Sequence, residues 1–318
     1  PPLPESALLG IVEGIPRPPF LARLRSRLAP VWAELGTSTR AGLENSAPAR
    51  YGQPEEVAVL EREVDAGLDP WEKAFALSAL RPGARLLDIG CGAGREAIGF
   101  AHLGFEVTAM DAAAPLVEAA RRLAPSLSFP FPIEIHFETH AAMDLLDAGL
   151  FPGPFEAVYL TPGLYTHLPL RRRRVALLKS LRTRLVPGGV LGLAAFEGNP
   201  RFGPRALVVG AGRELLQAFW PGRFHWERGD RQLRYVTASG LSGPWVFCHF
   251  FAPGELEAEI RAAGFSHIER PEGGAVVAVK DPGRNASQIR RERSAPLARW
   301  DEKADLHGKV VDKAGRIQ

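Results

Sequence analysis

The spacing of hydrophobic positions along this chain changes near residue 85. Before that point, residues 54–80 repeat apolar positions at helical spacing in two pieces, with a break near Gly67–Pro70. From Arg85 onward, short apolar runs alternate with amphipathic helical segments. Such alternation predicts βαβ units, and therefore a mostly parallel α/β sheet with helices on both faces.

Six apolar runs are predicted to be strands, and the helices lie between and after them. A long basic helix is predicted at 169–186, and an amphipathic helix opens at Pro253 and closes at Gly264. The strand runs are ARLLDIG (84–90), EVTAMD (106–111), IEIHFETH (133–140), FEAVYLTPG (155–163), VLGLAAF (190–196) and AVVAVK (275–280).

Three segments interrupt or flank this alternation. Residues 36–53 cluster Gly, Ser, Thr, Asn and Pro and are interpreted as a loop. Residues 197–250 predict an antiparallel, β-rich insertion, with turns at Gly229–Asp230 and Ser239–Gly240. The predicted organisation is an N-terminal extension at 1–80 (proline-rich, then a helical lid), a main domain at 81–280, and a basic polar tail at 281–318.

Composition excludes several classes of protein. The 318 residues are 46% hydrophobic, which is enough for a full core, and 39 Lys and Arg nearly balance 36 Asp and Glu. A net charge of +3 does not by itself indicate nucleic-acid binding. Cys91 and Cys248 lie far apart, so neither a disulfide framework nor a zinc site is predicted. No apolar run could span a bilayer and the first residues do not resemble a signal peptide, so a cytoplasmic protein is expected.

The strongest candidate for chemistry is the junction between the first predicted strand and its helix. Residues 86–95 read LLDIGCGAGR, which places Asp88 before three alternating glycines. Glycines allow a tight turn and a close approach of a ligand to the backbone, and the amides of the following helix face that ligand. The D-x-G-x-G-x-G spacing differs from the G-x-G-x-x-G of dinucleotide cradles. Asp111 ends the second strand, where an acid can accept both hydroxyls of a ribose.

These motifs resemble the class I S-adenosylmethionine-dependent methyltransferases. The segments LLDIGCGAGREAIGFA, VTAMDAAAPLVEAARR, LVPGGVLGLAAF and APGELEAEIRAAGF are each similar to family segments. The resemblance implies a Rossmann-like sheet of seven strands with the last one antiparallel. It also implies S-adenosylmethionine as cofactor, and a cofactor site formed by Asp88, Gly90, Cys91, Gly92, Gly94, Asp111, Ala112, His140, Ala141 and Thr161.

The resemblance implies methyl transfer by direct displacement, without a metal. Candidate catalytic residues follow the fourth and fifth strands: Tyr165, His167 and Glu197, of which histidine is the usual base near neutral pH. Arg50–Tyr51 is a further candidate for a cofactor contact. An acceptor pocket is predicted to include Tyr165, His225, Trp245 and His249.

Several functions remain open from the sequence. The favoured acceptor is a small molecule with an O, N, S or C nucleophile, because the insertion is apolar and aromatic. An RNA methyltransferase is the alternative, based on the basic tail and the Arg171–Arg174 run, although that run is interpreted first as a solvated helix face. A non-catalytic S-adenosylmethionine-binding partner or regulator is another alternative. The sequence does not define the oligomeric state.

Overall fold

A computed structural model describes residues 40–126, 134–198, 226–236, 242–270 and 275–280. Its main sheet has seven strands in the order β3-β2-β1-β4-β5-β9-β8, with β9 antiparallel to both of its neighbours and the remaining pairs parallel. The predicted α/β class, with one antiparallel strand near the end of the chain, is confirmed. The strands are β1 Arg85–Ile89, β2 Glu106–Asp111, β3 Ile135–Thr139, β4 Phe155–Leu160, β5 Leu185–Ala194, β8 Ser266–Glu269 and β9 Ala275–Val279.

Helices cover both faces of this sheet. The alternation along a strand sends successive side chains to opposite faces, so Leu86 joins one apolar cluster and Leu87 the other. Helices α3 to α6 belong to the first cluster, and α7 and α8 to the second. The bounds are α1 Arg40–Glu44, α2 Ser46–Tyr51, α3 Pro54–Glu63, α4 Pro70–Ala79, α5 Arg95–His102, α6 Ala114–Leu123, α7 Arg171–Arg184 and α8 Glu255–Ala262, with short 3₁₀ turns at Val64–Ala66, Ala124–Ser126, Ala142–Leu146 and Tyr165–His167.

The prediction of a loop over residues 36–53 is wrong for most of residues 40–51, because α1 and α2 lie there. Pro48 is the third residue of α2. A proline costs little in the first helical turn, where the missing N–H would have no intrahelical partner. The Pro48 carbonyl accepts a hydrogen bond from the amide of Gly52 at 2.9 Å. The Ser, Asn and Pro residues that suggested a loop therefore start a helix instead.

The segment after β5 contains the predicted antiparallel pair. Strands β6 Asp230–Val236 and β7 Ser242–His249 form a two-stranded sheet, in which Asp230 lies opposite His249. A turn precedes β6 at Gly229, while the predicted turn at Ser239–Gly240 lies outside the described residues, as do residues 1–39 and the tail from 281.

Chain contacts divide the protein into two compact units. One comprises Leu43–Pro200 and Glu227–Gln318 and holds the main sheet, and the other comprises Pro1–Gly42 and Arg201–Trp226. The helical residues from Leu43 to Ala79 therefore belong to the same unit as the sheet. Across the described ranges, no helix combines the length and the hydropathy that a bilayer crossing requires.

Candidate functional site

The turn between β1 and α5 takes its shape from three glycines. Gly90, Gly92 and Gly94 have φ angles of 84°, 54° and 97°, a region that other residues seldom adopt. A Cβ placed on Gly90 would lie 3.2 Å from the Leu164 side chain, whereas one on Gly92 would meet no atom of the described residues within 4 Å. The backbone at Gly92 therefore faces open space, which suits the close approach of a ligand.

Asp111, at the end of β2, is hydrogen-bonded to this turn. Its Oδ2 accepts from the amide of Gly92 at 3.1 Å and its Oδ1 accepts from the amide of Ala113 at 2.8 Å. The preceding Met110 carbonyl accepts from the amides of Gly90 and Cys91. Burial raises the pKa of the Asp111 carboxyl above its usual value. The glycine turn and the acid that follows the second strand thus form one connected structure.

A cavity of about 330 Å³ opens above this structure. It lies at the carboxyl ends of β1, β2 and β4, which is where open α/β sheets bind ligands. Of the motif residues and candidate catalytic residues predicted from the sequence, eight line its wall: Gly90, Cys91, Gly92, Asp111, Ala112, His140, Thr161 and His167. Tyr51 lines it as well, on the side formed by the N-terminal helices.

Asp88 lies behind the cavity wall. Its side chain is fully buried, and its Oδ1 accepts a hydrogen bond from the Thr161 hydroxyl at 3.4 Å. Its Oδ2 has no hydrogen-bond partner in the described part of the chain. Burial, and then the Glu96 and Glu72 carboxylates, raise the pKa of Asp88 well above its usual value. Thr161, which does line the cavity, connects this buried acid to the site.

Arg95, the first residue of α5, joins the glycine turn to the N-terminal helices. Its guanidinium donates to both carboxylate oxygens of the fully buried Glu72 at 2.9 and 3.0 Å, and to the Gly67 carbonyl at 2.7 Å. The same group donates to Glu96 Oε1 at 2.7 Å. A bidentate, charge-assisted contact of this kind fixes geometry as well as charge. Residues 54–79, which we call the N-terminal layer, are therefore held directly against the start of α5.

His167 is the cavity residue best placed to move a proton. Its Nδ1 lies 2.7 Å from the Phe247 carbonyl, which can only accept, so Nδ1 carries the hydrogen and Nε2 keeps its lone pair. Nε2 lies 3.4 Å from the Tyr51 hydroxyl. Burial lowers the pKa of His167, which favours the neutral imidazole. A neutral imidazole whose Nε2 is an acceptor at a cavity can act as a general base.

Tyr165 lies away from the cavity. Its hydroxyl donates to Glu259 Oε2 at 2.7 Å, and its ring stacks on Phe251 at 5.6 Å between centroids. Arg174 donates to both oxygens of the same Glu259 at 3.0 and 2.6 Å and is itself fully buried. The interpretation of the Arg171–Arg174 run as a solvated face is therefore wrong at Arg174. That arginine compensates a buried acid and cannot contact RNA.

Glu197 and His249 also lie outside the cavity wall. Glu197 is exposed and pairs with Arg270 at 2.7 Å. His249 is buried, with Nδ1 2.6 Å from Asp230 and Nε2 3.2 Å from Glu255. Its Nδ1 and oxygens of Asp230 and Glu227 lie within 4.8 Å of one another, a grouping that a metal ion could share. Arg174 already brings a positive charge to Glu227 at 3.0 Å.

The four remaining predicted site residues are Gly94, Ala141, His225 and Trp245. Gly94 supplies the left-handed start of α5, packed near Ala120, and Ala141 follows His140 without lining the cavity. His225 lies outside the described residues, as does the side chain of Trp245.

Several lining residues were not identified from the sequence. They are Ala47, Pro48, Leu60, Glu63, Asp69, Ala93, Arg95, Glu96, Leu116, Ala142 and Leu164. Arg95 and Glu96 directly follow the glycine motif, so their position at the start of the helix could have identified them. The residues from the N-terminal helices carry no local signal, because only the packing of those helices brings them to the site.

The residues present fit S-adenosylmethionine. Gly92 leaves room at the backbone, and the half-buried Asp111 offers carboxylate oxygens at the cavity. Glu63, Asp69 and Glu96 add acidic groups to the wall, which suits a cofactor that carries a sulfonium and an ammonium.

Comparison with known proteins agrees with this geometry. Residues 86–189 match the family model of a methyltransferase domain. A ubiquinone biosynthesis O-methyltransferase of Xanthomonas campestris pv. campestris is 33% identical over 144 residues, which is 45% of this chain and 55% of that protein. The enzyme of the same name from Xanthomonas axonopodis pv. citri is 30% identical over 199 residues, covering 62% and 69%. The chain thus spans little more than half of the first of these relatives.

Solved structures of methyltransferases also align with the chain. A S-adenosylmethionine-dependent methyltransferase from Methanosarcina mazei is 20% identical, with a TM-score of 0.49 over 68% of this chain and 99% of that one. Magnesium protoporphyrin IX methyltransferase from Synechocystis, solved with S-adenosylhomocysteine, is 17% identical, with a TM-score of 0.43 over 70% and 83%. From the matched relatives and the family model, the chain belongs to the class I S-adenosylmethionine-dependent methyltransferases, whose cofactor is S-adenosylmethionine.

Proposed function

We propose that the protein transfers a methyl group from S-adenosylmethionine to a hydroxyl oxygen of a small molecule, with His167 as the general base. The observation that carries this proposal is the hydrogen bond from His167 Nδ1 to the Phe247 carbonyl, which leaves Nε2 as an acceptor at the cavity. A hydroxyl is a weak nucleophile until its proton is removed, so a base of this kind matters most for O-methylation.

The bound cofactor supplies an activated methyl group on a sulfonium, which is a good leaving group. The protein's part is to align and to deprotonate. His167 Nε2 accepts the hydroxyl proton of the acceptor as its oxygen takes the methyl group, and later passes that proton to solvent. The glycine turn and Asp111 hold the cofactor in place. The N-terminal helices, held by Arg95, close one side of the cavity and limit the access of water.

An apolar surface beside the base supports a small organic acceptor. The Phe196 ring is 37% exposed, and its centroid lies 6.2 Å from that of His167 and 5.9 Å from that of Phe250. An exposed aromatic ring next to a cavity favours the binding of an apolar, planar group. The names of the Xanthomonas relatives, which specify O-methylation in ubiquinone biosynthesis, support a hydroxylated organic acceptor.

The test is an acceptor screen followed by substitution of the base. The protein is incubated with labelled S-adenosylmethionine and a panel of phenols, catechols, alcohols, amines and thiols, and methylated products are detected by mass spectrometry. With an accepted hydroxyl compound, His167→Ala should lower kcat by about 10²- to 10⁴-fold and leave the Kd of the cofactor unchanged.

His136→Ala is the matched control, because this exposed histidine on β3 lies away from the cavity. A His167→Ala variant with full kcat would remove His167 from the mechanism. Cofactor binding without methyl transfer to any hydroxyl acceptor would overturn the proposal in favour of a binding or regulatory protein.

A further inference from the structure

Acidic side chains outnumber basic ones among the described residues that line the cavity. The described lining residues include the carboxylates of Glu63, Asp69, Glu96 and Asp111, against the single guanidinium of Arg95. That guanidinium is also bound to Glu72, which is fully buried behind the wall. The described part of the wall therefore carries more potential negative charge than the Arg95 guanidinium can balance.

Glu96 is the buried carboxylate among these lining residues. Its side chain is nearly buried, at 4% exposure for the residue, and its Oε1 accepts from Arg95 at 2.7 Å. Close to it, Asp88 has one carboxylate oxygen without a hydrogen-bond partner in the described part of the chain. The titratable and charged groups that act on Glu96 come from several elements: Arg95 of its own helix, Glu72 of α4, Asp88 of β1, Cys91 of the glycine turn and Tyr159 of β4.

Burial raises the pKa of Glu96 to about 7, with Glu72 adding to the rise and Arg95 opposing it. At neutral pH, the cofactor-free protein is then a mixture of the protonated and ionised forms of Glu96. A positive charge brought into the cavity would favour the ionised form, by the same Coulomb interaction that Arg95 exerts.

We propose that Glu96 senses the charge of the cofactor: the binding of S-adenosylmethionine drives a proton from the Glu96 carboxyl to the solvent, and the binding of S-adenosylhomocysteine does so to a smaller extent. The two molecules differ by the methyl group and by the positive charge of the sulfonium. Glu96 is thereby a specificity-determining residue that favours the methyl donor over the spent product and reduces product inhibition. The inference deepens the proposed function at its cofactor-binding step.

Proton release can be measured without knowing the acceptor. Each molecule is titrated into the protein at pH 7 by calorimetry, in two buffers of different ionisation enthalpy. Because Glu96 is partly protonated near its pKa of about 7, S-adenosylmethionine should release a measurable fraction of a proton, and S-adenosylhomocysteine clearly less. The affinity for S-adenosylmethionine should rise about tenfold from pH 6 to pH 8.

Glu96→Gln keeps the shape and an oxygen that can accept from Arg95. It should abolish the difference in proton release between the two molecules, and should lower their affinity ratio by about tenfold. Glu138→Gln is the matched control, because it removes an exposed carboxylate that does not line the cavity and should leave the proton release in place.

The outcomes separate this inference from the proposed function. Equal proton release with both molecules, or none with S-adenosylmethionine, overturns the role of Glu96 and leaves methyl transfer standing. Persistence of the wild-type release in Glu96→Gln overturns it too, and assigns the proton to another acid such as Asp88. Failure of the wild-type protein to bind either molecule overturns both proposals.

Discussion

Asp111 illustrates how one side chain can shape a site and serve it. Its two oxygens accept hydrogen bonds from Gly92 and Ala113, so the carboxylate holds the glycine turn in place before any ligand arrives. A ribose placed at this acid would meet oxygens that are already oriented. Preorganisation of this kind lowers the entropic cost of binding.

Asp111→Ala should therefore weaken S-adenosylmethionine binding. The loss should be roughly 1.5–3 kcal/mol for each charged hydrogen bond removed, which corresponds to about 10- to 150-fold in Kd. Titration calorimetry measures it, with Glu138→Ala on the neighbouring strand as the control, since Glu138 is exposed and does not line the cavity. An unchanged Kd in Asp111→Ala would show that the cofactor does not bind at this acid.

The pH dependence of catalysis should report His167. A protonated imidazole cannot accept a proton, so kcat should be full above the pKa of His167 and should fall tenfold per pH unit below it. Because burial lowers that pKa, the fall should begin below the ordinary value of about 6.5. The measurement is kcat against pH at saturating cofactor, which removes the effect of Glu96 on binding. A fall that begins above pH 6.5 would point to a different base.

At the scale of elements, a buried ion pair joins α7 to α8. Arg174 and Glu259 are both fully buried and share a bidentate contact, and Tyr165 adds a hydrogen bond from the segment after β4. Removal of one partner from such a pair leaves an uncompensated charge in the interior. This contact therefore ties α8 to two neighbouring segments, Tyr165–His167 and α7, from which Glu259 is separated by 94 and 85 residues.

Arg174→Met should lower the free energy of unfolding by about 3–5 kcal/mol. Urea denaturation followed by circular dichroism measures the loss. Arg172→Met is the control from the same run, since Arg172 is exposed and should change stability by less than ~0.5 kcal/mol. If both variants lose the same stability, the buried pair does not stabilise the fold in the way argued here.

The spacing of hydrophobic residues predicted best those elements whose buried face is visible in their own sequence. Strands β1 to β4 coincide with runs that the sequence predicted, and Asp88 with the three glycines marks the turn after β1, so most of the main sheet and the glycine turn at the cavity could be predicted from the sequence. Residues 40–51 were interpreted incorrectly because a cluster of Gly, Ser, Thr, Asn and Pro was taken to indicate a loop, although Pro48 costs little in the first turn of α2. Arg174 was misplaced because a basic run says nothing of the acid, 85 residues away, that one member pairs with.

At the scale of the whole molecule, the cavity exists because two distant parts of the chain meet. The N-terminal helices supply Tyr51, Glu63 and Asp69 to the wall of a site whose other side is the sheet edge. No local pattern predicts such a meeting, since it rests on contacts like that of Arg95 with Glu72. A second ion pair, Arg122 with Glu61, joins α6 to α3 at the surface.

These two ion pairs should differ in how well they hold the N-terminal layer. Arg95 is 19% exposed and Glu72 is fully buried, whereas Arg122 is 62% exposed, and surface pairs contribute only about 0–1 kcal/mol. Arg95→Leu should therefore reduce the hydrogen-exchange protection of residues 54–79 far more than that of β1 and β4, while Arg122→Leu should leave both nearly unchanged. Exchange followed by mass spectrometry measures this directly. Equal loss of protection in the two variants would mean that apolar packing, and not the Arg95 contact, holds the layer over the cavity.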